Sequence, residues 1–168
     1  MPSIPMLGTV LVSIVSALVR VSPSAWHLKY DVRNTGQVVI WLVVDESLVL
    51  RRDNANIELS YAREKMKPGV QVFGYFDPKV VKIPPGGSLR RLVEITWPCR
   101  LSDIWNDERE AMPPPGVYKV SVRIGFASTA APKAPKVGEG VEAPVMAWQK
   151  TTVSPAVQIA IPPYTPSH

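Results

Sequence analysis

Residues 113–126 read Pro-Pro-Pro-Gly-Val-Tyr-Lys-Val-Ser-Val-Arg-Ile-Gly-Phe, and within them Tyr118, Val120, Val122 and Ile124 alternate with Lys119, Ser121 and Arg123. Alternation with period two puts the apolar side chains on one face and the polar ones on the other, which is a half-buried β-strand. The proline run ahead of it cannot sit inside a helix, so the strand begins abruptly out of an extended segment. The same reading extends outward on both sides. Toward the N-terminus, Leu89 to Trp97 forms a strand entered through Pro84-Pro85-Gly86-Gly87, and Lys79 to Ile83 leads into that turn. Further upstream, Trp26, Leu28, Tyr30 and Val32 alternate with His27, Lys29, Asp31 and Arg33.

This last strand stops at Asn34-Thr35-Gly36-Gln37 and an apolar one resumes over Val38–Val44, which predicts a hairpin with Val39, Trp41 and Val43 on its core face. A second hairpin is expected around Asp53-Asn54-Ala55-Asn56. Thr9 to Val21, rich in β-branched residues, reads as a buried strand. It is too short and too rich in Ser to span a bilayer, and its first basic residue, Arg20, follows the apolar run, where a secretory signal would place one before it. Residues 98–115 and 127–145 read as long loops. Met146–Thr152, continuing past Pro155 as Val157–Ile161, reads as a last strand at an edge.

The chain of 168 residues is one domain's length, and its 18 prolines make a helical bundle improbable. Strand spacing and turn chemistry together predict an all-β chain, an antiparallel immunoglobulin-like β-sandwich of about 7–9 strands over residues 1–168. In that frame Tyr118, following Pro114-Pro115-Gly116, stands where a tyrosine corner belongs, its hydroxyl returning to backbone just upstream. The plainer alternative is an ordinary core-facing tyrosine.

The segment "KIPPGGSLRRLVEITWP…MPPPGVYKVSVRIGF" resembles the C-terminal half of the bacterial intracellular proteinase inhibitor family. Ile83, Pro85, Gly86, Trp97, Pro114, Pro115, Gly116 and Tyr118 occupy that pattern's places, and "YDVRNTGQ" is similar to its early strand and turn. The resemblance covers about half the chain and consists of turn and core residues. It implies a related sandwich with Trp97, Gly116 and Tyr118 in structural roles, and, as a functional expectation, a proteinase-inhibitor-like module.

The side chains available for chemistry are few. One cysteine and two histidines exclude an internal disulfide and the common structural zinc sites. His27 falls on the wet side of its strand, no Gly-x-Ser-x-Gly elbow presents a serine, and Cys99 has only Arg100 beside it to lower its pKa, so no enzyme is expected. Gly86-Gly87 lacks the Lys-Ser or Lys-Thr and the helix of a phosphate loop, and no cofactor or metal is implied. The net charge of +5 arises within residues 51–100, ten basic against five acidic, but the cations are interrupted by acids and carry no nucleic-acid signature. No nucleic acid and no membrane is therefore expected as partner, and the cytoplasm is the expected compartment.

What remains is loop 98–115, with the acids Asp103, Asp107, Glu108 and Glu110 around Ile104 and Trp105. Two large apolar groups in so polar a stretch predict either a contact surface for another protein or a plug closing one end of the sandwich. The functional expectation is a protein-binding module using Asp103, Ile104, Trp105, Asp107 and Glu108. The alternative is a structural subunit of a homo-oligomer or hetero-assembly, joined through edge strands and long loops.

Overall fold

In the computed structural model residues 12–44, 48–64, 77–103, 106–110, 112–133 and 143–163 are described. They form β1 (Val12–Ser22), β2 (Ala25–Asn34), β3 (Ile40–Val43), β4 (Val49–Asp53), β5 (Asn56–Ser60), β6 (Val80–Ile83), β7 (Ser88–Thr96), β8 (Cys99–Asp103), β9 (Asn106–Glu110), β10 (Gly116–Ala127), α1 (Ala143–Trp148), β11 (Lys150–Val153) and β12 (Val157–Ile161). The protein is mostly β, as the alternation predicts. A three-stranded antiparallel sheet has the order β1-β2-β7, and a larger one runs β4-β5-β10-β3-β6 with β11 and β12 also paired to β10. The larger sheet is mixed, because β5 and β10 run parallel, Lys119 facing Asn56 and Arg123 facing Ser60. The expectation of uniformly antiparallel pairing fails there.

In β2 the alternation translates directly into burial: Trp26, Leu28, Tyr30 and Val32 are at most 3% exposed. They meet Ile40, Leu42, Ile57, Leu59, Val120, Val122 and Ile124 of the larger sheet in one apolar cluster. Trp26 and Trp97 pack edge to face at 5.0 Å between centroids, and Tyr30 stacks on Tyr61 at 5.5 Å. β1 is a strand as expected but only half buried. Ile14 faces the core while Val15, Val19 and Val21 face outward, because among the described residues the three-stranded sheet is covered on one face alone.

The predicted hairpin over Asn34–Gln37 does not form. β2 pairs with β1 and β7, and β3 lies in the other sheet. Asn34 decides this. Its side-chain oxygen accepts a hydrogen bond from the Gly36 amide (3.0 Å) while its amide donates to the carbonyls of Val38 (2.7 Å) and Ile83 (3.0 Å), turning the chain across the core. Its backbone N–H bonds the Gly87 carbonyl, and its carbonyl accepts from Gly86. One fully buried asparagine thus ties the β2–β3 and β6–β7 crossings together. The second of these is a tight turn over Pro84-Pro85-Gly86-Gly87, Gly86 at φ 75° and the Gly87 N–H donating to the Pro84 carbonyl. The core residues of β3 differ in part from the expected ones: Val43 is buried as expected, but Ile40 and Leu42 are buried with it, Val39 is 40% exposed, and Trp41 lies outside beneath Lys82. The turn at Asp53–Asn56 does close the β4–β5 hairpin, with Asn54 at φ 49°.

Two further expectations are corrected. Residues 98–115 are not simply a loop, since β8 and β9 pair with each other as a separate two-stranded sheet. The strand expected over Met146–Thr152 is divided: α1 takes Ala143–Trp148, and only Lys150–Val153 extends alongside β10. Pro144 sits in the first turn, where its missing N–H costs nothing, and fully buried Val145 anchors the helix.

Candidate functional site

The β8–β9 ribbon carries most of the sequence-predicted contact residues. Its ladder ends at the pair Asp103–Asn106, and the register also sets Leu101 opposite Glu108 and Ser102 opposite Asp107. Alternation therefore places Asp103, Glu108 and Glu110 at positions of one face, and Asp107 on the other with Arg100 and Arg109. The acids that the sequence presents as one cluster are split by the pleat. Ile104 and Trp105 lie outside the described residues.

The three residues expected to be structural lie at the base of this ribbon and beside it. Trp97, 8% exposed, ends the segment from β7, and Pro98 joins it through a cis peptide bond. Tyr118, equally buried, donates its hydroxyl to the Pro114 carbonyl at 2.7 Å, four residues upstream. Gly116 lies beneath the Tyr118 ring, where a Cβ would stand 3.6 Å from Cε2. Tyr118→Phe is expected to lower the unfolding free energy by about 1–2 kcal/mol, the size of one hydrogen bond plus its stranded carbonyl. Urea unfolding measures this, and an unchanged midpoint assigns the tyrosine to packing alone.

His27 is half exposed and its Nε2 lies 3.2 Å from Glu94 Oε2 across the β2–β7 pair, with no nucleophile in the arrangement. Among the described residues no three His, Cys, Asp or Glu groups converge as a metal site, and no helix is long and apolar enough to cross a membrane.

Among the described residues several cations are engaged with acids or an aromatic ring. Arg123 grips Glu58 with two nitrogens at 2.7 and 2.9 Å, Arg51 bonds Glu58 and Glu64, and Ser60 donates to Glu64. The Arg123 hydrogen bond, with Arg51 adding to it, holds the Glu58 carboxyl below its ordinary pKa against the opposing effect of burial. Arg90 reaches Asp31 at 3.5 Å, and Lys82 stands over Trp41 at 4.5 Å. Burial pushes the Tyr30 phenol above its ordinary pKa, partly offset by Arg91. The pairings of Arg51 and Arg123 with Glu58 bind β4, β5 and β10 to one another.

Two features escaped the sequence reading. Gln149 acts as a strand surrogate: its Oε1 accepts from the Arg63 N–H (2.8 Å) and its Nε2 donates to the Arg63 carbonyl (3.0 Å). Gly125 makes the room, and a glycine inside a strand is the one sequence signal that another group approaches there. The second is a shallow depression of about 350 Å³ on the outer face of the three-stranded sheet, with Val15, Ala17 and Leu92 as apolar lining and Lys29, Asp31 and Arg90 around it.

No protein-family model matches the chain, and comparison with curated proteins and with solved structures gives no significant match.

Proposed function

We propose that this chain is a non-enzymatic, immunoglobulin-like β-sandwich module that binds another protein through the β8–β9 ribbon. The observation that carries the reading is that, among the described residues, the ribbon pairs with neither of the two larger sheets, so its backbone is not spent on completing them. The hydroxyl bond of Tyr118 to Pro114 supports the immunoglobulin-like frame, fixing the chain where it leaves the ribbon and enters β10. The acidic positions Asp103, Glu108 and Glu110 suit a basic patch on the partner, and Ile104 and Trp105 are the apolar residues proposed to contribute to the contact. A proteinase is the partner class that the family resemblance implies, and the cytoplasm is the compartment in which to look.

Affinity capture with the full chain identifies the partner, and titration of that purified partner tests the site. Trp105→Ala is expected to weaken binding by about 2 kcal/mol, roughly 30-fold, while moving the melting temperature little. If the same variant instead loses about 3–5 kcal/mol of stability, as a vacated core position would, Trp105 is the plug and the reading is overturned.

A further inference from the structure

We infer that two copies of this chain associate by antiparallel pairing of β1 with β1, about a two-fold axis at Ala17, into one continuous six-stranded sheet. β1 ends the order of its sheet, and among the described residues no strand lies along its far edge. Natural edge strands are ordinarily blunted by lysine, proline, short length or inward-pointing charge. β1 has eleven residues, no proline, no lysine and a single charge, Arg20, beside the irregularity where its register with β2 shifts. Its outward positions Val15, Val19 and Val21 are 66%, 58% and 47% exposed. The exposed valines of this face all lie on this strand, and the only other large apolar group among the described residues of the face is Leu92 of β7, separated from them by β2. The adjoining outward row on β2 is His27, Lys29, Asp31 and Arg33. A partner lying flat across the face would meet those charges, whereas a strand added at the edge covers the valines and leaves the charges in water.

The chain's own β1 meets the requirement. Antiparallel pairing about Ala17 sets Val15 of each copy opposite Val19 of the other, twice, with Ala17 opposite itself, and the faces agree because the paired residues all sit on the outward side. No charge lies between Val12 and Val19, so the pairing brings no like charges together. Arg20 faces Ile14 of the other copy, roughly 20 Å from its own mate at about 3.4 Å per residue. The symmetry is that of an isologous dimer, closed and limited to two chains. This surface is separate from the β8–β9 ribbon, so its failure leaves the proposed partner site untouched.

The test is the mass of the full chain by light scattering after gel filtration, with two paired-charge variants. Wild type is expected at twice the chain mass of 18.5 kDa. Val15→Lys with Val19→Lys in one chain sets lysine against lysine at both pairs and is expected to raise the dissociation constant at least 10-fold. Val15→Lys with Val19→Glu sets lysine against glutamate at both pairs and is expected to restore the dimer. Both substitutions fall on exposed positions, and circular dichroism checks that the fold persists. Oxidative cross-linking adds a distance readout: Ala17→Cys in a Cys99→Ser background is expected to link, and Lys29→Cys in the same background is not. A monomeric wild type at high micromolar concentration, equal behaviour of the two charge variants, or preferential linking through position 29 overturns the inference. So does capture of the β1 edge by a strand of another protein in place of a second copy.

Discussion

Asn34→Ala is expected to be among the most damaging polar substitutions in the molecule, lowering the unfolding free energy by about 3–4 kcal/mol. The side chain is wholly buried and makes three hydrogen bonds, to the Gly36 N–H and to the carbonyls of Val38 and Ile83. Removing it strands one donor and two acceptors where water has little access, and each stranded buried group costs about 1–3 kcal/mol, less whatever relaxation recovers. Asn34→Asp is expected to be worse at neutral pH. It keeps the acceptor for Gly36 but turns a charged oxygen toward two carbonyls that need a donor. Chemical denaturation measures both variants. A loss under 1 kcal/mol for Asn34→Ala would show that the two crossings hold their course through backbone bonds alone.

Asn34 also marks where sequence reading reaches its limit. The strands themselves were legible wherever one face was apolar and the other wet, as in β2, β7 and β10, because burial has period two and is a local property of the pattern. Their partners were not. Asn-Thr-Gly-Gln is equally good chemistry for a hairpin and for a crossing, and the choice rests on a bond from Asn34 to Ile83, 49 positions away. The inward residues of β3 are illegible for a related reason: Ile40, Trp41, Leu42 and Val43 are all apolar, so nothing in the run shows that Ile40, Leu42 and Val43 are buried while Trp41 is not. β8 and β9 are not legible as strands because Asp, Glu, Arg and Asn have weak strand preference and the ribbon has no apolar alternation. α1, at six residues, is too short to be stable alone and is fixed by the burial of Val145. Of the candidate site, the position of Tyr118 was legible from Pro-Pro-Gly-x-Tyr. The division of Asp103, Glu108 and Glu110 from Asp107 was not, since it needs the register of a ribbon the pattern did not announce.

A glycine gives the complementary case, a position where adding atoms is costly. Gly125 lies inside β10 without a left-handed φ, so alanine would ordinarily improve the strand there by limiting the unfolded chain. Here an added Cβ would fall 2.0 Å from Gln149 Oε1 and 2.6 Å from its Cδ. Gln149 is the flexible member and must swing away, abandoning both bonds to the Arg63 backbone. Gly125→Ala is therefore expected to lower stability by about 2–3 kcal/mol, the cost of two backbone groups losing partners in a partly buried place. The cause is separable by a double-mutant cycle. Gln149→Ala alone removes the same bonds and should cost a similar amount, and adding Gly125→Ala to it should cost nothing further, because the clash has no object left. Strict additivity of the two losses would mean that Gly125 is constrained by something other than Gln149. A double variant more stable than Gln149→Ala alone would go further in the expected direction, since the strand preference of alanine would then be the only effect remaining.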